Sequence, residues 1–138
     1  KDGGYSFDLE SFLKKRLSGD LDISNGMVIK TKENVYIYNK TGCLRLVHNG
    51  KVKALQLIPK EKACYIDYER FHVVEDSNGL VWISTYGNGL FVYDWKKNET
   101  QHFTAKINTD SPMTSNCLLY VMEDRSGGIW VSSEFSGV

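Results

Sequence analysis

Long apolar runs are missing from this chain. No stretch of about 18 consecutive apolar residues occurs, and no charged-then-apolar leader is present, so we expect no membrane segment in these residues. Charge of one sign is also missing, because 17 basic residues balance 17 acidic ones. A chain without net charge does not attract nucleic acid or an anionic membrane surface by overall electrostatics, so we expect partners selected by local shape.

Cysteine, histidine and proline are sparse. The three cysteines are Cys43, Cys64 and Cys117, and the three histidines are His48, His72 and His102. None of them forms the closely spaced pairs that structural zinc, redox or catalytic motifs need, so we predict no metal site and no cofactor. With only two prolines but eight Tyr, six Phe and three Trp, the composition favours an ordered, β-rich fold.

An internal repeat organises what is there. Residues 74–84 align without a gap on residues 122–132, so that Trp130 lies 48 positions after Trp82. Self-similarity at a period of 20 to 50 residues is typical of propellers and solenoids. The positions that define the repeat are Asp76, Gly79, Trp82 and Gly89 in one copy and Asp124, Gly127 and Trp130 in the next.

A weaker copy lies upstream, where Tyr36 occupies the position of the tryptophan. In the complete unit, Asn78 and Gly79 predict a two-residue hairpin, and residues 87–89 and 96–99 predict two further turns. The apolar runs between these turns predict strands at residues 68–75, 80–85, 90–94 and 100–104. This is a four-stranded antiparallel meander.

The strand sequences predict that both sheet faces are covered. Runs such as Leu-Val-Trp-Ile at residues 80–83 are apolar at successive positions. In a sheet with one face exposed to solvent, apolar and polar residues alternate along each strand. Blades packed face to face in a β-propeller cover both faces. We therefore predict an all-β fold, a partial β-propeller of about two and a half four-stranded blades.

The domain organisation follows from the repeat. We expect one propeller unit over residues 1–138, with an N-terminal segment at 1–23, a divergent blade at 24–58, a complete blade at 68–104 and a truncated blade at 116–138. Apolar residues at helical spacing predict a short helix at residues 8–18. Because fewer than three blades cannot close a propeller, we expect the chain to belong to a longer protein.

The repeat resembles the two-component regulator propeller repeats found in the sensor regions of bacterial hybrid two-component systems. The resemblance rests on Glu-Asp-Ser-Asn-Gly-Leu-Val-Trp-Ile-Ser-Thr at residues 75–85, on Gly-Asn-Gly-Leu at 87–90 and on Glu123 to Ser133. It implies a periplasmic sensor that stands before a membrane span and a histidine kinase and responds to oligosaccharides from glycan breakdown. The first repeat departs from the pattern, since it lacks the Glu-Asp pair and the tryptophan.

Two features of the repeat have competing interpretations. The acid pairs at 75–76 and 123–124 could act as paired carboxylates on a sugar, but their recurrence at the repeat period favours a structural role in the turns. Trp82 and Trp130 could stack on a sugar ring, but their apolar mid-strand neighbours favour core packing between blades.

Loop positions are the better candidates for ligand contact, because rigid scaffolds display function on their connections. Tyr86 and Asn88 occupy the same turn in one repeat as Glu134 and Phe135 do in the next, with different side chains. This turn could vary for specificity or be merely exposed.

The repeat pattern therefore predicts a non-enzymatic binding module, and the resemblance implies that it is a periplasmic sensor with an oligosaccharide as its partner. The alternatives are a protein-interaction scaffold and, less favoured, a propeller glycosidase or lyase. Open sheet edges also predict self-association into a homo-oligomer.

Overall fold

A computed structural model of the chain describes residues 26–31, 33–39, 43–58, 67–106, 110–111 and 113–134. Within these ranges the chain is all-β, with ten strands and no helix, and hence no helix that could cross a membrane. The helix predicted at residues 8–18 lies outside the described residues.

The strands form three antiparallel sheets in sequence order. The first sheet contains β1 (Gly26–Lys30), β2 (Asn34–Asn39), β3 (Cys43–His48) and β4 (Lys51–Gln56). The second contains β5 (Asp67–Glu75), β6 (Leu80–Tyr86), β7 (Leu90–Asp94) and β8 (Glu99–Phe103). The third contains β9 (Leu118–Glu123) and β10 (Ile129–Ser133). The predicted all-β class and four-stranded antiparallel sheets are confirmed.

The hairpin between β5 and β6 differs from the predicted two-residue turn. The Gly79 N–H donates to the Asp76 carbonyl at 3.0 Å, and the Asp76 N–H donates to the Leu80 carbonyl at 2.9 Å. Three residues therefore form the loop, with Gly79 in the left-handed region at φ 82°. A two-residue loop needs left-handed backbone at its central positions, whereas here only the final glycine adopts it.

The first and second sheets pack face to face around a shared core. Its buried members are Tyr36, Leu44, Leu46 and Ile58 on one side and Val73, Val81, Ile83, Phe91 and Tyr93 on the other. These side chains alternate along their strands, as the two-residue period of a strand requires. The opposing faces thus interlock.

The other face of the second sheet is covered by the third. The ring of His72 stacks on Tyr120 with centroids 3.9 Å apart, and Val121 is completely buried. Burial lowers the pKa of His72 below its ordinary 6.5, so the ring is neutral near pH 7. Leu90 to Tyr93 of β7 are all buried, so the second sheet is covered on both faces.

Trp130 does not occupy a core position, contrary to the sequence interpretation. It is 53% exposed, whereas Trp82, its equivalent in the second sheet, is partly buried. The difference follows from the stacking order. The third sheet covers the face that carries Trp82, and no described strand covers the face that carries Trp130.

Candidate functional site

The predicted ligand candidates lie at one end of the sheets, where β6 turns into β7. We call this the lower end; it includes Tyr86 to Gly89 and, among the described residues, 104–106, 110–111 and 113–117. The Tyr86 hydroxyl donates to the Glu134 carboxylate, so the structure brings together two residues that occupy equivalent repeat positions. Phe135 lies outside the described residues.

The lower end is held by hydrogen bonds within the chain. The Asn116 carbonyl accepts from the N–H groups of Gly87 and Gly89 at 2.9 and 3.0 Å. His102 Nε2 lies 2.7 Å from the Asn88 carbonyl, which can only accept, so this nitrogen carries a proton. The side-chain nitrogen of Asn88 is buried, and no described residue hydrogen-bonds to it. The geometry here is that of a junction between the β6–β7 turn and the segment that leads to the third sheet.

The opposite end carries the first hairpin of each sheet, and we call it the upper end. In the second sheet, Asp76 Oδ1 accepts from the N–H groups of Asn78 and Leu80, each at 2.9 Å, and Oδ2 accepts from the Trp82 indole at 2.8 Å. Both carboxylate oxygens are thus used inside the hairpin. An aspartate in this turn fixes the loop and the orientation of the indole.

The third sheet repeats this arrangement. Asp124 Oδ1 accepts from the N–H groups of Ser126 and Gly128 at 2.8 and 2.9 Å, and Oδ2 accepts from the Trp130 indole at 2.7 Å. These donors stabilise the ionised carboxylate and lower the pKa of Asp124 from 3.8 to about 2, with the indole the largest cause.

We expect the substitution Trp130→Phe to raise the pKa of Asp124 from about 2 towards 3.8, because it removes the strongest donor to the carboxylate. Since folding lowers this pKa, the stability that Asp124 contributes is fully present above pH 3.8 and is lost as the pH falls towards 2. NMR titration of the Asp124 carboxyl carbon measures the shift. Trp82→Phe is the matched control, and an equal rise in that variant would contradict the assignment.

The glutamates beside these aspartates have a different role. Glu123 accepts from the Ser77 N–H at 2.8 Å and also from the Ser77 hydroxyl. Glu75 Oε2 lies 3.5 Å from the amide nitrogen of Asn34 in the first sheet. Each glutamate thus contacts the first hairpin of the preceding sheet. In each acid pair, the aspartate forms hydrogen bonds within its own sheet and the glutamate forms them with the neighbouring sheet.

A cavity of about 400 Å³ opens at the upper end between the first and second sheets. Its lining combines carboxylates, hydroxyls, an amide and an ammonium group. The lining residues are Thr31, Glu33, Glu75, Asp76, Ser77, Asn78, Gly79 and Lys96. Because Asp76 is fully engaged in its own hairpin and Ser77 donates to Glu123, the groups best placed for a ligand belong to Glu33, Asn78 and Lys96.

Buried polar residues lie behind this cavity. Asn34, only 3% exposed, donates to the Tyr36 hydroxyl at 3.0 Å. Asn34 Oδ1 lies 2.6 Å from His48 Nδ1, which places the proton on that nitrogen. Burial first, and then the Glu75 carboxylate, raise the pKa of Tyr36 far above 10, so the phenol stays protonated. Glu75 therefore joins the cavity to a buried network.

The Trp95 ring lies beside two residues of the cavity lining and packs against His48 and the core. A Cβ added at Gly79 would lie 3.9 Å from the indole nitrogen of Trp95, and Lys96 Nζ lies 5.7 Å from the centroid of the Trp95 ring. Sequence reasoning identified residues 96–99 only as a polar turn. The residues of the cavity come from two different sheets, and no local motif marks their convergence.

The remaining chemistry-bearing residues are dispersed. Within the described part of the chain, no three His, Cys, Asp or Glu residues are grouped so as to hold a metal ion. Cys43 and Cys117 are both partly buried. Cys64 lies outside the described residues.

Comparison with known proteins gives a relation by fold. No protein-family model and no curated protein matches the sequence. Two crystal structures of the extracellular domain of BT4673 from B. thetaiotaomicron are similar, one described as a hybrid two component system and the other as a one component system. The TM-scores are 0.54 and 0.57 at 21% identity, covering 77% and 84% of this chain but only 13% and 15% of those chains. By fold, this chain is similar to a segment of the extracellular domain of a two-component system, the class of protein whose repeats the sequence resembles.

Proposed function

We propose that this chain is part of the periplasmic sensor region of a two-component signalling protein. The observation that carries the proposal is the shared fold with the extracellular domain of BT4673. The repeat at residues 75–90 and 123–133 supports it independently, because it resembles the repeats of such sensors.

The sensor region is a β-propeller, and the three sheets are consecutive blades. Each four-stranded sheet is a meander that packs face to face on the next sheet, and the glutamates at positions 75 and 123 connect neighbouring sheets at the same end. In a propeller, each blade packs on the next with its first hairpin at the same end. The repeat period supports the same architecture.

The ligand is an oligosaccharide, and it binds in the cavity between the first two sheets. Carboxylate, amide, hydroxyl and ammonium groups line this cavity, and the indole of Trp95 lies beside Gly79 and Lys96 of the lining. Sugars present both hydroxyl groups, which pair with such donors and acceptors, and an apolar ring face that suits an aromatic side chain. The combination fits a neutral glycan better than an apolar ligand.

The chain binds without breaking a bond. Glycoside hydrolysis needs two carboxylates facing one another across the scissile bond. The repeated aspartates, Asp76 and Asp124, instead direct both oxygens into their own hairpins and belong to different sheets. Of the two glutamates that line the cavity, Glu75 is engaged with Asn34, which leaves Glu33 without a second free carboxylate opposite it. Incubation with glycans followed by chromatography tests this, and release of shorter products would contradict it.

Signalling follows from the position of Glu75. Its carboxylate lines the cavity and contacts Asn34, which connects to Tyr36 and His48. A ligand that engages Glu75 competes with these contacts and changes how the two sheets pack. Ligand affinity that differs between two packings shifts a conformational equilibrium.

Calorimetry against a panel of neutral oligosaccharides tests the ligand and its site together. We expect one class of glycan to bind and Lys96→Gln to raise Kd about ten-fold, because a hydrogen bond from a charged group contributes about 1.5 kcal/mol. Tyr86→Phe at the lower end is the control and should leave Kd unchanged.

Two results would contradict the proposal. Absence of heat with every glycan in the panel would remove the oligosaccharide as ligand. Weakening by Tyr86→Phe but not by Lys96→Gln would move the site to the lower end, where the sequence placed Tyr86, Asn88, Glu134 and Phe135.

A further inference from the structure

The loop between β5 and β6 lines one side of the cavity and is held from two sheets. Within its own hairpin, the Asp76 carboxylate accepts from the N–H groups of Asn78 and Leu80. The Ser77 N–H instead donates to Oε2 of Glu123 in the third sheet at 2.8 Å, and the Ser77 hydroxyl donates to the same carboxylate. The loop that faces a cavity between the first two sheets is therefore fixed partly by the third.

Glu123 reaches this loop from the end of a strand. It is the last residue of β9 and pairs with Ile129 of β10, so its backbone belongs to the ladder of the third sheet. Side chains two residues apart in a strand point to the same face. Val121 is completely buried where β9 packs on the second sheet, so Glu123 also points towards the second sheet. A carboxylate placed in this way determines where the Ser77 peptide lies.

The equivalent glutamate of the second sheet has a different relation to the cavity. Glu75 lines the cavity and lies 3.5 Å from the amide nitrogen of Asn34. Glu123 is not among the lining residues, and it binds the loop through both donors of Ser77. Glu75 can contact a ligand directly, whereas Glu123 can affect a ligand only through the loop.

We propose that Glu123 is a positioning residue for the cavity, and that it holds Asn78 in the orientation in which Asn78 meets the ligand. This role rests on the proposed function, since it concerns the same cavity. Asn78 directly follows Ser77, so a fixed Ser77 peptide fixes the backbone from which the Asn78 amide projects. A side chain that is ordered before the ligand arrives loses less conformational freedom on binding. The third sheet thus contributes to the affinity of a cavity that it does not line.

The first test measures amide hydrogen exchange by NMR in the chain without ligand. In Glu123→Ala we expect the Ser77 N–H to exchange about ten-fold faster, because it loses a charged acceptor. The Leu80 N–H keeps Asp76 as its acceptor and should exchange at an unchanged rate. Glu123→Gln retains a side-chain oxygen that can accept from Ser77, so its effect should be smaller. Unchanged exchange at Ser77 in Glu123→Ala would overturn the proposal.

The second test measures Kd by calorimetry, with the neutral tetrasaccharide that binds the unaltered chain most tightly. We expect Glu123→Ala to raise Kd about five-fold, since Asn78 must then be ordered on binding. Tyr120→Leu is the matched control, because it removes the ring that stacks on His72 at the same sheet interface but does not touch the loop. The control should lower the free energy of unfolding and leave Kd unchanged.

These measurements separate the positioning role from the proposed function. Absence of binding by the unaltered chain would contradict the oligosaccharide as ligand, and the exchange rate of Ser77 would then decide by itself whether Glu123 holds the loop. Equal rises in Kd for Glu123→Ala and Tyr120→Leu would overturn the positioning role, because the whole interface would then set the affinity. An unchanged Kd in Glu123→Ala together with faster exchange at Ser77 would also overturn it, since the order of the loop would then have no effect on the ligand.

Discussion

Replacing Gly89 by alanine should destabilise this protein more than replacing Gly79 by alanine. Gly89 has φ +75°, and an added Cβ would lie 2.2 Å from the Phe103 carbonyl oxygen. That oxygen belongs to the backbone of β8, so it cannot move aside as a flexible side chain could. We expect a loss of about 3 kcal/mol or more in the free energy of unfolding.

The reason lies in the bonds that hold Gly89 in place. Its N–H donates to the Asn116 carbonyl at 3.0 Å, and its carbonyl accepts from the Thr85 N–H and hydroxyl at 3.1 and 2.7 Å. The chain cannot relieve the clash without breaking these bonds, which join β6 to the approach of the third sheet. Urea denaturation followed by circular dichroism measures the loss.

Gly79→Ala separates the clash from backbone strain. Gly79 has nearly the same φ, +82°, but a Cβ there would meet nothing closer than 3.9 Å. Its cost should be that of a left-handed alanine alone, about 1 kcal/mol. Equal losses in the two variants would mean that the contact with Phe103 is not what requires glycine at position 89.

The second sheet was largely predictable from the sequence. Its four strands differ from the predicted bounds by at most one residue, because polar turns interrupt the apolar runs. Local chemistry was sufficient here, since each strand pairs with its neighbour in sequence. The length of the β5–β6 loop was wrong because Asn-Gly also occurs at the end of a three-residue loop.

The environment of Trp130 was not predictable in the same way. The repeat identifies the partner of its indole, and Asp124 accepts from it just as Asp76 accepts from Trp82. Burial, however, depends on whether another sheet covers the face. A local motif predicts the hairpin geometry but not whether a neighbouring sheet covers the tryptophan.

The candidate site was also only partly predictable from the repeat. Equivalent repeat positions suggested Tyr86 and Glu134, and the structure joins them. Yet the cavity lies at the other end of the sheets, where Glu33 and Lys96 converge from separate sheets. Residues from different repeats meet through packing, and no spacing within one repeat reveals that meeting.

The substitution Asp76→Ala should have the second large effect. Asp76 is 7% exposed and accepts from the Asn78 and Leu80 N–H groups and from the Trp82 indole. Its removal leaves three donors without their acceptor at the interface between sheets, and we expect a loss of about 3 kcal/mol in the free energy of unfolding. Urea denaturation measures this loss directly.

Asp124→Ala is the matched control, because it removes the same set of bonds from the third sheet. There the hairpin is open to solvent, and water can replace the carboxylate as acceptor for the Ser126 and Gly128 N–H groups. The control should therefore lose clearly less stability than Asp76→Ala, although the hydrogen bonds are alike in number and length. Equal losses would mean that the bonds alone decide the cost, and that coverage of the second hairpin by its neighbouring sheets adds nothing to it.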